Sequence, residues 1–439
     1  MTACGGSSSD TAATAAGSAP GASKPECAAY TQYGNLTGKT VTIYTSIVAP
    51  EDKAHIASYK PFEDCTGAKI SYEGSKEFEA QLLVRVQSGN APDIAYFPQP
   101  GLLKTVVEKS PDAIKPAPEG VVKNVEANFD PSWKGYGTVN GTFYAAPLGS
   151  NVKSFVWYSP KAFTKAGYAV PKTWDEMMAL SDKIAATGVK PWCAGIGSGD
   201  ATGWPITDWV EDVMLRLESP EVYDKWVKHE IPFNDPKVAA VFDKVGSILK
   251  NDKYVNGGLG DVKSIASTTF QDAGLPILKG KCFMHRQASF YAANFPAGTN
   301  VAEDGDVWAF YLPPIDAAKG KPVLTAGEFV GAFSDRPEVK AFQAFLASAE
   351  WANSKAKAGQ DLKVTGWVSA NKKADPNLFS GIDKLSVQIL QDPNAVTRFD
   401  GSDLMPAAVG SSAFWKGATD WITGKSTKET VDFIQAAWK

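Results

Sequence analysis

Three histidines, His55, His229 and His285, are the only imidazoles in the chain. None has a second ligand at the spacing of a zinc or iron site, so each reads as a surface or packing residue and no metal is expected. No Gly-x-Ser-x-Gly elbow marks a serine nucleophile, and no Gly-x-x-x-x-Gly-Lys loop marks a phosphate cradle. Gly195-Ile196-Gly197-Ser198-Gly199 lacks the third glycine of a dinucleotide fingerprint and reads as a strand-to-loop turn. The 48 acidic residues leave one enzyme class open. Glycosidic cleavage needs two opposed carboxylates, and such a pair has no local motif. A secreted glycoside-active enzyme is therefore one reading. The residues also permit a binding protein, for a sugar or for a non-sugar solute such as a peptide or polyamine. The non-sugar case predicts a charge-dominated pocket. The 13 Trp, 14 Tyr and 22 Phe favour a pocket with aromatic walls, because a sugar ring presents a flat apolar face. No cofactor is expected.

A chain of 439 residues with 44% hydrophobic and 21% charged residues has room for two cores. Its net charge of -4 and the absence of a basic stripe exclude a nucleic-acid footprint. No window approaches the ~20 apolar residues of a membrane span. The start, Met1-Thr2-Ala3-Cys4-Gly5-Gly6, followed by a Gly/Ser/Ala/Thr tract through Ser23, reads as a bacterial lipoprotein site and tether, with the lipid on Cys4. The remaining cysteines, Cys27, Cys65, Cys193 and Cys282, allow three pairings in an exported protein. The favoured one is Cys27–Cys65, bracing the segment before the first strand against the end of the first helix. Cys193–Cys282 would then join two strands of a later sheet. Each bridge is worth roughly 4 to 5 kcal/mol on the chain-entropy model.

Thr40 to Ser46 alternates as a β-branched strand, Lys69 to Tyr72 as a second and Asp93 to Phe97 as a third. Between them Ile56, Tyr59 and Phe62, then Phe78, Leu82 and Val86, recur at helical spacing. Strand–helix alternation implies a parallel, doubly wound sheet, which binds ligands at the carboxyl ends of its strands. Phe143 to Pro147 and Phe155 to Tyr158 are strands separated by a crossing between lobes at Leu148–Lys153. Thr173 and Glu176, and later Ser426 and Glu429, have capping-box spacing. Trp192 to Ile196 and Cys282 to His285 read as strands of the second lobe. Asp306 to Leu312 and Thr325 to Phe333 read as strands returning to the first. The expected layout is a tether over 1–37, lobe 1 over 38–150 and 306–358, and lobe 2 over 151–305 and 359–439.

Several stretches, in order, resemble the bacterial extracellular solute-binding proteins for sugars, the group that includes maltose-type receptors. They are Phe62-Glu63-Asp64-Cys65-Thr66-Gly67-Ala68-Lys69-Ile70, Ala91-Pro92-Asp93-Ile94, Trp157-Tyr158-Ser159-Pro160-Lys161, Pro171-Lys172-Thr173-Trp174-Asp175-Glu176, and Met405-Pro406 with Ser412-Ala413-Phe414-Trp415. The resemblance runs from about Thr40 to Lys439. It implies an α/β, two-lobed periplasmic-binding-protein fold, with doubly wound sheets joined by three crossing strands that act as a hinge. It further implies a binding component without enzymatic activity, an oligosaccharide ligand (an α-linked gluco-oligosaccharide), and docking to the permease subunits of an ABC importer. The expected form is an extracellular monomer, attached to the outer face of a Gram-positive cell membrane only through the lipid.

The same resemblance makes Trp415 a stacking residue. It departs from the maltose-type pattern at Ala201, where an aromatic is expected, at Phe290, where a Trp is usual, and at Asn151, where an acid is common. Trp204, in Gly203-Trp204-Pro205, and Trp367, after Gly366, are further stacking candidates. The polar candidates are Ser46 at the end of the first strand, Glu77 at a helix start, and Gln99 after the third strand. Asn151 and Lys153 lie at the first crossing, Arg286 after a second-lobe strand, and Glu328 at the second crossing. Such side chains satisfy sugar hydroxyls, which both donate and accept. The Asp400-Gly401-Ser402-Asp403 loop is open to two readings, a contributor to the site or to a cation, and a solvated turn, of which the turn is favoured.

Overall fold

The structure is a computed structural model and describes residues 19–21 and 23–438. Cys4 and the tether up to residue 18 lie outside the described residues.

In chain order the strands are β1 Thr40–Thr45, β2 Lys69–Gly74, β3 Ile94–Phe97, β4 Thr138–Val139, β5 Thr142–Phe143, β6 Ala145–Pro147, β7 Asn151–Val152, β8 Phe155–Tyr158, β9 Met284–Arg286, β10 Trp308–Tyr311, β11 Lys321–Ala326, β12 Phe329–Ala332 and β13 Ala395–Phe399. The first lobe is built on a sheet of order β2-β1-β3-β12-β6. Its first three strands are parallel, with Ile43 opposite Ile94 and Thr40 opposite Lys69. The alternation of β1 and β3 splits the lobe into two half-cores. Val41, Ile43, Ile94 and Tyr96 face Phe62, Phe342 and Phe345 on one side. Tyr44, Ala95 and Phe97 face Phe78, Leu82 and Leu103 on the other. A sheet covered on both faces reads as near-continuous apolar strands, as Ile94–Phe97 does.

The second lobe holds a sheet of order β10-β8-β9 and one large core containing Trp157, Trp174, Trp192, Trp226 and Trp421. A third sheet, β13-β11-β7, lies where the chain crosses. The segment β6–β7–β8 carries it from the first lobe to the second, and β11–β12 carries it back. The fold is thus α/β and two-lobed, as the spacing of strands and helices predicts.

One strand is placed differently from its sequence reading. Asp306 to Leu312 does not return to the first lobe. β10 pairs antiparallel with β8, Trp308 opposite Tyr158, and its side chains enter the second core. The return is made by β11 and β12, and β12 pairs antiparallel with β3 and β6. Arg216 donates to the carbonyls of Leu312 (2.8 Å) and Pro322 (3.1 Å), which ties the end of β10 to the start of β11.

Two disulfides form, Cys27–Cys65 with Cα atoms 5.3 Å apart and Cys193–Cys282 with 5.8 Å, both within the ordinary range. The first pins the turn Pro25–Tyr33 to helix Lys60–Thr66. Ser426 and Glu429 form a reciprocal capping box at the last helix. Thr173 caps its helix by accepting from Glu176 N (3.2 Å), but the Glu176 carboxylate accepts from Lys172 N (2.7 Å).

Candidate functional site

A cavity of about 430 Å³ lies between the lobes, within the size range of small-molecule sites. Ser46 to Ala49 enter it from the carboxyl end of β1, and Gln99 enters after β3. Glu79 reaches it from helix Phe78–Gln87. The crossing supplies Asn151, Lys153 and Glu328. Trp204, Phe270, Phe290 and Trp415 line it from the second lobe.

The aromatic wall is assembled by helix Trp204–Leu217. Trp204 stands at its first position, with its ring 5.1 Å from Phe270 and 6.1 Å from Phe290. Gly203 makes this placement possible. Its φ is 117°, and a Cβ there would collide with the backbone of Trp415. Only glycine tolerates both conditions, so two indoles reach the same cavity.

The next turns of this helix carry a ladder of charge. Lys153 Nζ lies 2.8 Å from Asp208 and 2.5 Å from Asp400. Arg286 pairs with Asp208 at 3.1 Å and with Asp212 at 2.8 Å, and Arg216 also pairs with Asp212. Ser154 Oγ donates to Asp212 at 2.7 Å. Burial and partnering make such a network costly to interrupt. It also aims the wall, because Lys153 Nζ sits 5.2 Å from the centre of the Trp204 ring. Burial acts to raise Asp400, yet Lys153 and Ser402 overcome it and hold the carboxyl at about 2. Burial outweighs Lys153 and Arg286 at Asp208, which rises to about 6.

Glu211 of the same helix accepts from the backbone N–H groups of Gly401 (2.6 Å) and Ser402 (3.0 Å). The Asp400–Asp403 loop is consequently not a solvated turn. Asp400 and Ser402 are buried, and Asp400, Ser402 and Asp403 line the cavity.

Across the cleft, burial raises Glu79 and Glu51 to about 7 each. Four buried polar atoms on the wall have no hydrogen-bond partner: Gln99 Oε1, Asn151 Oδ1, Glu328 Oε2 and Trp415 Nε1. Buried polar atoms are almost always paired, so three acceptors and one donor aimed into a cavity describe a polar, hydroxyl-bearing occupant.

Of the residues singled out from the sequence, Ser46, Gln99, Asn151, Lys153, Trp204, Phe290, Glu328 and Trp415 line this cavity. Three do not. Arg286 is turned away, its guanidinium occupied by Asp208 and Asp212. Glu77 precedes helix Phe78–Gln87 at the exposed rim, where Asp200 of the other lobe raises its carboxyl above the usual range. Trp367 packs edge-on against Trp351 at 5.1 Å and lines a smaller adjoining chamber. The sequence reading missed Phe270, Glu51, Glu79 and Asn294, and it ranked the Asp400 loop as a solvated turn ahead of a contributor to the site. The loop alone had a signal, since it follows a strand's carboxyl end.

The histidines sit in packing positions. His285 Nδ1 bonds the Cys193 carbonyl at 2.9 Å, and burial lowers its pKa to about 4. His229 stacks on Trp438 at 4.2 Å. His55 is buried beside Trp351 and Trp367.

Comparison with known proteins agrees with this architecture. The alpha-glucosides-binding periplasmic protein AglE of Rhizobium meliloti is 39% identical over 421 residues, 92% of this chain and 88% of that protein. The osmoprotective compounds-binding protein GgtB of a Synechocystis strain is also 39% identical, over 92% of this chain and 94% of its own. Among solved structures, the bacterial solute receptor AcbH superimposes with a TM-score of 0.75 at 21% identity, covering 91% of this chain and 97% of that one. Maltose-bound MalE3 of T. maritima gives 0.70 at 15%, with 91% and 98% covered. The family model for bacterial extracellular solute-binding proteins matches residues 42–353. Matched over most of its length and folded as two lobes around a lined cleft, the chain belongs to the bacterial extracellular solute-binding proteins.

Proposed function

We propose that the chain is the α-glucoside receptor of an ABC importer, which encloses a short α-linked gluco-oligosaccharide between its lobes and hands it unchanged to the permease. One observation carries this reading. The aromatic wall of Trp204, Phe270, Phe290 and Trp415 faces unpartnered acceptors on Gln99, Asn151 and Glu328 across one cavity. Rings cover the apolar faces of a sugar, and its hydroxyls satisfy the acceptors. The 39%-identical alpha-glucosides-binding protein AglE supports the same ligand class. Lys153 and Arg286 are tied up in ion pairs, so the pocket is not dominated by free cations as an anionic solute would require.

In this reading the ligand stabilises the closed arrangement through contacts that exist only when both lobes reach it. No cofactor takes part. The protein works as an extracellular monomer, held to a Gram-positive cell through a lipid on Cys4.

Isothermal titration against maltose, isomaltose, trehalose, maltotriose, raffinose, cellobiose and xylobiose tests the proposal, with the sugar recovered and analysed afterwards. Saturable binding of α-glucosides at micromolar affinity, about -8 kcal/mol, with intact sugar is expected. Trp415→Ala should weaken it about 10- to 100-fold. Cleaved sugar would make the protein a glycoside-active enzyme. No binding across the panel would point to a non-sugar solute.

A further inference from the structure

Beside the main cavity lies a second chamber of about 30 Å³. The two share Glu51, Asn151, Phe290 and Glu328, so a ligand in the cleft reaches the chamber directly. Its far wall is Lys355, carried by helix Ala349–Leu362, with Thr365 and Trp367 beside it. Lys355 is 3% exposed. Its ammonium lies 4.6 Å from the centre of the Trp367 ring, and among the described residues no acceptor bonds it and no carboxylate lies within ion-pair distance. A nearly buried ammonium with no protein acceptor favours an occupant that accepts from it. The chamber is also lined by two residues whose buried acceptors have no partner among the described residues, Glu328 Oε2 and Asn151 Oδ1.

The size and charge of the chamber select its occupant. The chamber offers about 30 Å³ against about 430 Å³ in the main cavity, so it takes a small substituent of a ligand and not a second ring. Glu51 and Glu328 line it, Asp383 acts on Lys355 from helix Gly381–Leu390, and His55 completes the wall. Carboxyl groups, not further cations, face Lys355, so the site is not built for an anion. A neutral arm of one carbon and one hydroxyl satisfies both limits. On a hexopyranose only the CH2OH substituent has that length; the ring hydroxyls are one atom shorter.

We propose that this chamber is a subsite for the hydroxymethyl arm of a bound hexose, whose hydroxyl accepts from Lys355 Nζ and donates to Glu328 Oε2, and that it makes the receptor prefer hexose over pentose units. The inference rests on the sugar reading above. Burial lowers Lys355 to about 8, which leaves it a charged donor at neutral pH.

The test titrates the full protein with maltose and trehalose, and with analogues of each in which one glucose is replaced by xylose, which lacks the arm. The wild-type protein is expected to bind the parent sugar about 10- to 100-fold more tightly than one of its analogues. Lys355→Met keeps the stem and removes the ammonium, and the preference should fall to within a few-fold. The wild-type comparison needs no variant, so a misfolded substitution does not spoil it. Equal wild-type affinity for parent and analogues, or a preference that survives Lys355→Met, overturns the subsite while leaving the sugar reading intact. Failure of both parents and all analogues to bind overturns the subsite together with the sugar reading.

Discussion

Buried charged residues divide into two roles in this protein, and their partners decide which. Glu328 faces the cavity with one oxygen unpaired, and burial alone raises its carboxyl. Glu328→Gln should therefore cost affinity, about tenfold by titration, while leaving the urea midpoint unchanged or slightly higher. Arg286 is the opposite case. Its charge is consumed by Asp208 and Asp212 in the interior, so Arg286→Leu removes one cationic partner from each of two buried carboxylates. A loss of about 3–5 kcal/mol in urea unfolding is expected. A fully stable Arg286→Leu protein that fails only in binding would return this residue to the ligand. The sequence could not separate the two. Arg286 and its partners are more than seventy positions apart, and nothing local in Cys282 to Arg286 announces the ladder.

At the scale of elements, helix Trp204–Leu217 organises the site. Its first residue is a wall of the cavity, its middle turns hold Lys153 and Arg286, and Glu211 holds the Asp400 loop. The hinge of this arrangement is Gly203. Gly203→Ala combines left-handed strain with a clash against the Trp415 backbone. It should lower stability by about 2–3 kcal/mol and weaken sugar binding at least tenfold, measured by calorimetry and titration. Unchanged affinity would show that the placement of Trp204 relative to Trp415 does not matter. Elements governed by period and caps were legible in the chain itself. β1 to β3, the helices between them, and the cap at Ser426 all followed from local residues. β10 was not, because Trp308 to Tyr311 is equally apolar whichever lobe it joins, and only its pairing with β8 settles the matter. The cavity was legible where a residue stood at a strand end or a crossing. It was not where the residue came from the first turn of a helix, as with Glu79, or from a helix of only four residues, as with Phe270.

For the whole molecule, the buried carboxyls set a pH profile. Burial raises Glu51, Glu79 and Asp383 to about 7 and Asp208 to about 6. Between about pH 4 and 7 the folded state keeps protons that the unfolded chain has released, so stability falls as pH rises through this window. Asp400, held at about 2, contributes stability above about pH 4 that is lost on further acidification. His285, lowered to about 4, and His55, also lowered by burial, act in the opposite sense below about pH 6.5, so the fall in melting temperature, by several degrees, should be clearest between about pH 6.5 and 7.5. A flat profile from about pH 5 to 7.5 would mean that these groups are ionised in the fold.

The lobes also touch at the margins of the cavity. Asn294 Nδ2 of the second lobe donates to Glu51 Oε1 of the first at 3.1 Å, and Gly199 rests against the Lys76 backbone at the rim. An enclosed molecule leaves only after these contacts part. Its escape rate consequently has a ceiling that belongs to the protein, the frequency with which the lobes separate. Every ligand small enough to be fully enclosed shares that ceiling, whatever its own contacts are worth.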